Sequence, residues 1–319
     1  MSIECDAPSI AAIDLHTRKL RYFLAVADEL HFSRAAARVF LTQQALSRHI
    51  KELEDELGFA LFDRTTRKVS LTAAGETFYE AARRLIGGFD DAVAASRRVD
   101  RALTGSLRLG FTPGAALELT APILNAYREA YPDVEVQMRE FPVGDPSAGM
   151  ASGVTDVSFV RLPQGTQHIE TEPLFVDPLV AVVACGHRLA TQTSVGVAEL
   201  VKEQLTLSVT SDEVYKDFWS LRDAPGGPAH CLAVSSVTEE MALVAAGVAI
   251  TMTSSAIQSI APMPGLRYLL VEDWPGSTVA LAWHADERSQ AVARFVDIAC
   301  SVRDRESELV EQMQTRRPT

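Results

Sequence analysis

Apolar positions repeat at helical spacing through the first seventy residues, follow a three-four alternation for the next thirty, and then give way to short strand-like runs. From Lys19, the residues Leu20, Phe23, Leu24, Ala27 and Leu30 form one stripe and predict a first helix ending near His31. Ser33 is the expected N-cap of a short second helix through Arg34 and on to Phe40, with three consecutive alanines that permit close helix packing. After a tight connection at Leu41, Thr42 caps a third helix to about Leu57, closed by Gly58. On it Ala45, Leu46, Ile50, Leu53 and Leu57 point inward, while Gln43, Gln44, Ser47, Arg48 and Lys51 point outward. Residues 60–62 and 69–71 flank a polar stretch and predict a small hairpin carrying Arg64, Arg67 and Lys68 near its tip.

Thr72 opens a long helix reaching about Leu103. Phe78, Leu85, Ala92 and Val99 recur every seven residues, and Ala82, Phe89, Ser96 and Leu103 repeat the spacing four residues later. This is the pattern of a coiled-coil seam, on a rod of about 45 Å. Gly87-Gly88 interrupts it at a cost of ~2 kcal/mol in helix propensity. A seam of two such helices would hold two copies of the N-terminal helices at a fixed spacing.

From Gly105, strands expected at 107–111, 134–139, 156–160, 174–184, 205–209, 249–253 and 278–283 alternate with helices at about 115–131, 195–203, 212–222, 238–247 and 286–302. Such alternation predicts an α/β architecture with largely parallel sheets, divided into two subdomains. The organisation expected is thus an N-terminal extension (1–14), an all-α winged helix-turn-helix (15–72), a linker and dimerisation helix (73–103) and an α/β domain (104–319). Within the last, lobe I takes about 105–176 and 280–303, and lobe II about 177–279.

The net charge of -12 changes meaning once it is located. Residues 1–72 hold ten Lys/Arg and ten Asp/Glu; the remainder holds twenty and thirty-two, the whole excess. No carboxylate lies between Glu29 and Glu52, a stretch containing Arg34, Arg38, Arg48 and Lys51, so a basic face is available to phosphates. Cys5, Cys185, Cys231 and Cys300 form no CxxC pair, so neither a zinc site nor a disulfide framework is indicated and reduced thiols in cytoplasm are expected. The acidic start argues against a secretory signal, and no apolar run approaches the roughly 18 residues of a membrane span.

Two sites follow from these elements. In helix-turn-helix geometry the N-terminal half of the second helix of the motif enters the major groove, where glutamine can bond adenine and arginine guanine. Candidate DNA contacts are Ser33, Arg34, Thr42, Gln43, Gln44, Ser47, Arg48 and Lys51, with Arg64 and Arg67 on the wing. In α/β folds ligands bind beyond the carboxyl ends of strands, against hydroxyls and free backbone N–H groups. Thr112 and Pro113, Thr210 and Ser211, and Ser236 occupy such places, and Arg161 at a strand end can supply charge to an anion. The interface expected on the long helix comprises Phe78, Ala82, Leu85, Phe89, Ala92 and Val99.

Leu20-Arg21-Tyr22-Phe23, His31-Phe32-Ser33-Arg34-Ala35-Ala36, Gln43, Ala45-Leu46-Ser47, Ile50, Leu53-Glu54, Leu57-Gly58, Leu61-Phe62, Arg64 and Leu71-Thr72-Ala73-Ala74-Gly75 together resemble the LysR-type transcriptional regulators. The resemblance runs in order over about 55 residues of the DNA-binding segment. It departs at Gln44, where the family commonly has proline, so it carries over no base preference there. It implies a C-terminal periplasmic-binding-protein-like domain of two Rossmann-like lobes with a small-molecule effector between them, and dimers that pair into tetramers. It leaves RNA polymerase open as a further partner. By position it matches Thr112 to a hydroxyl at the effector site and Arg161 to an arginine found in relatives that sense carboxylated compounds. No cofactor or metal is implied.

Rival readings separate on chemistry. An enzyme fused to a DNA-binding domain lacks support, since no GxSxG elbow, Walker loop, HExxH or glycine fingerprint is present. A thiol switch using Cys185 and Cys231 on the same fold stays open. An architectural DNA binder without an effector is disfavoured by the size of the α/β portion.

Overall fold

The structure, a computed structural model, describes residues 16–64, 69–102, 105–114 and 116–318. It divides into two compact units, residues 1–92 and 93–319, each taken by itself here.

In the first unit α1 (Thr17–Glu29) ends at Leu30, whose φ of 43° is left-handed and lets its N–H return to the Val26 carbonyl. Helix α2 (Phe32–Arg38) begins two residues before the sequence pattern placed it. Its N-cap is His31, whose Nδ1 accepts from the Arg34 N–H at 3.4 Å, and not Ser33. Helix α3 (Gln43–Leu57) has the expected caps: Thr42 Oγ1 accepts from the Ala45 N–H, and Gly58 adopts a φ of 78°. Strands β1 (Phe62–Arg64) and β2 (Val69–Leu71) pair antiparallel as the wing. Phe23, Val26, Ala35, Leu46, Ile50, Leu53 and Leu61 are shut off from solvent at the centre of the unit.

Helix α4 (Ala73–Ala102) is continuous through both glycines. Thr72 caps it, accepting from the Gly75 N–H at 2.9 Å while its hydroxyl donates to the Ala60 carbonyl at 2.8 Å. Gly75 is required by space. A Cβ there would lie 2.1 Å from the Leu61 carbonyl oxygen.

The second unit opens with β3 (Ser106–Phe111), a 3-10 turn (Leu117–Leu119) running into α5 (Thr120–Ala130), then β4 (Glu135–Glu140), β5 (Val157–Leu162) and β6 (Ile169–Asp177). The chain continues with β7 (Leu179–Ala184), β8 (Ser194–Val195), α6 (Val197–Leu200), β9 (Gln204–Ser208), α7 (Glu213–Trp219), β10 (His230–Val234), α8 (Val237–Ala245), β11 (Thr251–Ser254), α9 (Ile257–Ile260) and β12 (Leu266–Val271). It returns through β13 (Ser277–His284) and finishes with α10 (Gln290–Arg305) and α11 (Ser307–Gln314).

One sheet has the order β4-β3-β5-β13-β6 and a second β11-β7-β12-β8, while β9 and β10 pair with each other. The two larger sheets rest on separate cores. Leu109, Ile123, Phe159, Leu281 and Phe295 anchor the first; Leu179, Val183, Leu200, Leu205 and Leu269 anchor the second. The chain passes between the sheets at Asp177-Pro178 and again at 272–276.

The sheets are mixed, which corrects the expectation of largely parallel ones. β3 runs parallel to β4 and β5, but β13 lies antiparallel to β5 and β6, and β7 antiparallel to β11 and β12. The apolar run at 174–184, read as a single strand, is two strands in different sheets, broken where proline removes a backbone donor. The helix expected from 115 begins at the turn Leu117–Leu119, so Thr112 follows a strand and does not cap a helix.

Candidate functional site

The exposed side of α3 carries the predicted DNA-reading set. Gln43, Gln44, Arg48 and Lys51 are exposed and Ser47 is half-buried, while Leu46, Ile50 and Leu53 face the core. Ser33 contributes from α2: its hydroxyl donates to Gln43 Oε1 at 2.9 Å, which turns the Gln43 amide N–H groups outward. The α3 N-terminus adds unpaired backbone N–H groups beside these side chains.

The basic face is smaller than the sequence count implied. Arg34 is held by Glu29 at 3.0 Å and also donates to the Glu29 carbonyl, and Arg38 is held by Asp28 at 3.0 Å. Both acids border the carboxylate-free stretch and fold back onto it. Arg48 has only a long contact with Glu52 at 3.8 Å, and Lys51 makes no ion pair among the described residues, so these two are the cations left for phosphate. Exposed pairs of this kind contribute little stability and are readily exchanged for a phosphate partner. The Arg64 side chain and all of Arg67 lie outside the described residues.

Glu54, at the C-terminal part of α3, has a structural task. Its Oε1 accepts from the Leu61 N–H at 2.8 Å and the Phe62 N–H at 3.1 Å, pinning the start of the wing to α3.

On α4 the predicted seam splits. Ala82 is buried against the unit's own core, and the Phe78 ring lies 5.2 Å from that of Phe23. These two are occupied within the chain, together with Ile86, because the face they share packs under α1. Leu85 and Phe89 remain 58% and 46% exposed, Ala92 is exposed with them, and the Val99 side chain lies outside the described residues. The exposed stripe is therefore Leu85, Phe89 and Ala92.

In the second unit a cavity of about 70 Å³ lies between the two sheets. From the first sheet it receives Thr112, Pro113 and Arg161; from the second side it receives Thr206, Ser208, Tyr215, Glu240 and Ser254. Arg161 is 8% exposed, and its Nη2 donates to Asp177 Oδ2 at 2.9 Å. Asp177, 1% exposed, also accepts from the Ser255 hydroxyl at 2.7 Å, so a rigid chain of bonds holds the guanidinium at the point where the sheets join. Arg161 Nη1 is buried with no hydrogen-bond partner. A buried N–H left unmade is costly, and at the wall of a cavity it marks a place for an acceptor.

Three predicted effector residues are elsewhere. Thr210 accepts from the Asp212 N–H in a turn, Ser211 is exposed, and Ser236 is the N-cap of α8, accepting from the Glu239 N–H at 3.2 Å. None lines the cavity. The rule that hydroxyls after a strand face ligand fails here because Thr210 is used in a turn, Ser211 faces solvent and Ser236 caps a helix. Thr206 and Ser208 on β9 and Glu240 in α8 reach the space instead, and sequence reasoning missed all three. Glu240 had a signal: Val237 and Val244 stand three before and four after it, on the apolar side of α8.

Cys185, Cys231 and Cys300 are free. Burial pushes the Cys231 thiol up, which lowers its thiolate fraction and works against a redox switch.

Two family models cover the chain. The lysR-family bacterial regulatory helix-turn-helix matches residues 17–76, and the LysR substrate binding domain matches residues 100–302. The chain belongs to the LysR family. This LysR-type chain is 32% identical over 269 residues to XapR of Escherichia coli, covering 81% of this chain and 84% of that regulator. It is 38% identical over 192 residues to the uncharacterized regulator YnfL of Escherichia coli, covering 60% of this chain and 65% of YnfL, just under two thirds of its length. The crystal structure of full-length BenM, a regulator from Acinetobacter baylyi, superposes with a TM-score of 0.53 at 25% identity, covering 92% of this chain and 98% of that one. The LysR-type chain is thus a DNA-binding transcription regulator with an effector-binding domain, and not an enzyme. No helix among the described residues is long and apolar enough to cross a membrane.

Proposed function

We propose that the cavity between the two sheets binds a small carboxylate and that its occupancy alters how the protein holds operator DNA. The observation that carries this reading is Arg161 Nη1, a buried donor without a partner at the wall of a cavity. A carboxylate there would satisfy that N–H in a charge-assisted bond, with Thr112 beside it. Because the guanidinium is fixed through Asp177 and Ser255, little side-chain entropy is lost on binding. The ligand shifts the protein only as far as it prefers one arrangement of the lobes, and a coupling of ~1–3 kcal/mol changes operator affinity several-fold or more.

On the DNA side, Gln43, Gln44 and Arg48 read base edges while Lys51 meets phosphate, and Leu85, Phe89 and Ala92 supply a dimer seam. Two recognition helices then address a two-fold site, with further pairing into tetramers and a setting in the cytoplasm. Titration calorimetry of a panel of short carboxylic acids against the wild type and Arg161→Gln tests the effector reading. Binding by the wild type that weakens at least tenfold in the variant is expected, and equal affinities would remove Arg161 from the site. Alanine at both Gln43 and Arg48 should abolish sequence-selective retention on the gene's own upstream region; unchanged retention would overturn the DNA reading.

A further inference from the structure

Among the described residues, Arg161 and Glu240 are the charged ones lining the cavity, and they come from opposite sides of it. Arg161 is already neutralised by Asp177. Among the described residues nothing neutralises Glu240. Its carboxylate makes no salt bridge, and its partners are two hydroxyls: Thr206 Oγ1 and Thr251 Oγ1 each donate to Oε1 at 2.7 Å. Both threonines are buried, at 4% and 0% exposure, so that one oxygen is locked in place. The other, Oε2, has no partner among the described residues while the side chain lines the cavity. Burial pushes the Glu240 carboxyl above its ordinary range, so the group is held there at some expense to the fold. Tying α8 to β9 and β11 does not need an acid, since an amide oxygen would accept the same two hydroxyls. Tyr215, buried, lines the same cavity beside Arg161 and Glu240.

The size of that space limits what can bridge it. At about 70 Å³ the space suits a compact molecule over a bulky one. We propose that Glu240 is the second recognition group of this cavity, and that the effector is a compact carboxylic acid bearing a hydrogen-bond donor, a hydroxyl or an ammonium, away from its carboxylate. The carboxylate meets Arg161 Nη1; the donor meets Glu240 Oε2. This rests on the reading of the cavity as the effector site. It adds a discrimination which Arg161 alone does not provide, because a plain acid of equal length would set an alkyl chain against Glu240 Oε2 and shut that oxygen off from water without a partner.

The test is calorimetry on the full chain with matched four-carbon ligands: butyrate, 3-hydroxybutyrate, 4-hydroxybutyrate, 2-aminobutyrate, 4-aminobutyrate and, without a carboxylate, butylamine. The wild type should bind at least one donor-bearing acid about tenfold or more tightly than butyrate, and should not bind butylamine. Glu240→Leu should keep its affinity for butyrate and lose the preference. Glu240→Gln keeps the oxygen that Thr206 and Thr251 address, so it folds even where the leucine variant does not, and it should lose the preference for an ammonium. If acids bind through Arg161 but butyrate matches every donor-bearing acid, or the preference survives in both variants, Glu240 has no such role. If no acid binds, or Arg161→Gln changes nothing, the cavity is not a carboxylate site and this inference falls with it.

Discussion

Replacing Glu54 with alanine should loosen the wing without unfolding the recognition helix. In the wild type its Oε1 accepts from two backbone N–H groups, those of Leu61 and Phe62, at 2.8 and 3.1 Å. Leu61 is 0% and Phe62 4% exposed, so water reaches the freed N–H groups poorly. A buried donor left without its acceptor costs ~1–3 kcal/mol, and two of them, discounted for partial relaxation, give about 2–4 kcal/mol. At 1.4 kcal/mol per factor of ten, local opening of the wing should become about 30- to 1,000-fold more frequent. Hydrogen exchange of the full chain, followed by mass spectrometry on peptides spanning 59–71, reads this directly. Peptides from α1 should change far less, since their N–H groups are held by bonds within that helix. Glu54→Gln retains an acceptor oxygen and should lie within about 1 kcal/mol of the wild type. Equal protection of 59–71 in the wild type and Glu54→Ala would refute the assignment, as would loss of protection throughout α3.

Other substitutions probe the remaining contacts. Gly75→Ala brings a methyl to 2.1 Å from the Leu61 carbonyl and should lower the melting temperature of the DNA-binding unit, with a cost above about 2 kcal/mol; an unchanged melting profile would show that the backbone yields easily. Leu85→Asp with Phe89→Asp places charge on the exposed stripe of α4 and should shift sedimentation to a monomer, whereas an unaltered distribution would move the interface elsewhere. Glu240 titrates above its unfolded value, so its contribution to stability is complete at low pH and is lost as pH rises through the folded pKa. Glu240→Gln should therefore gain stability relative to the wild type as pH climbs from the ordinary carboxylate range toward neutrality, and a difference in melting temperature that stays flat with pH would contradict that.

Much of the architecture could be read from spacing. Leu46, Ile50 and Leu53 repeat on one face of α3, so the opposite face had to carry Gln43, Gln44 and Arg48 outward. The parts that escaped depended on contacts between distant segments. Ser33 and His31 are both competent caps, and only the packing of Phe32 into the core starts α2 at the earlier residue. Phe78 and Ala82 fit a heptad seam as well as any residue, but a period fixes which residues share a face and not which neighbour covers it. Arg161 was legible as a charge at a strand end. Its partner Asp177 was hidden in an apolar run, where the Asp-Pro step was the sign that the strand stops. Strands β10 and β12 were overlooked because their alternation is interrupted by a half-exposed or charged residue, as with Arg267 in β12.

The glycine pair in α4 has a mechanical consequence. A methyl added at Gly87 or Gly88 would touch nothing within 4 Å, so neither glycine is there to make room. Both sit at the midpoint of a helix whose residues are otherwise ordinary helix formers. Alanine at each would stiffen the rod by ~1 kcal/mol per site, a gain available to a single mutation and not taken. The centre of this helix is thus its most compliant stretch, a shaft kept soft in the middle, where bending strain would collect before it reached either end.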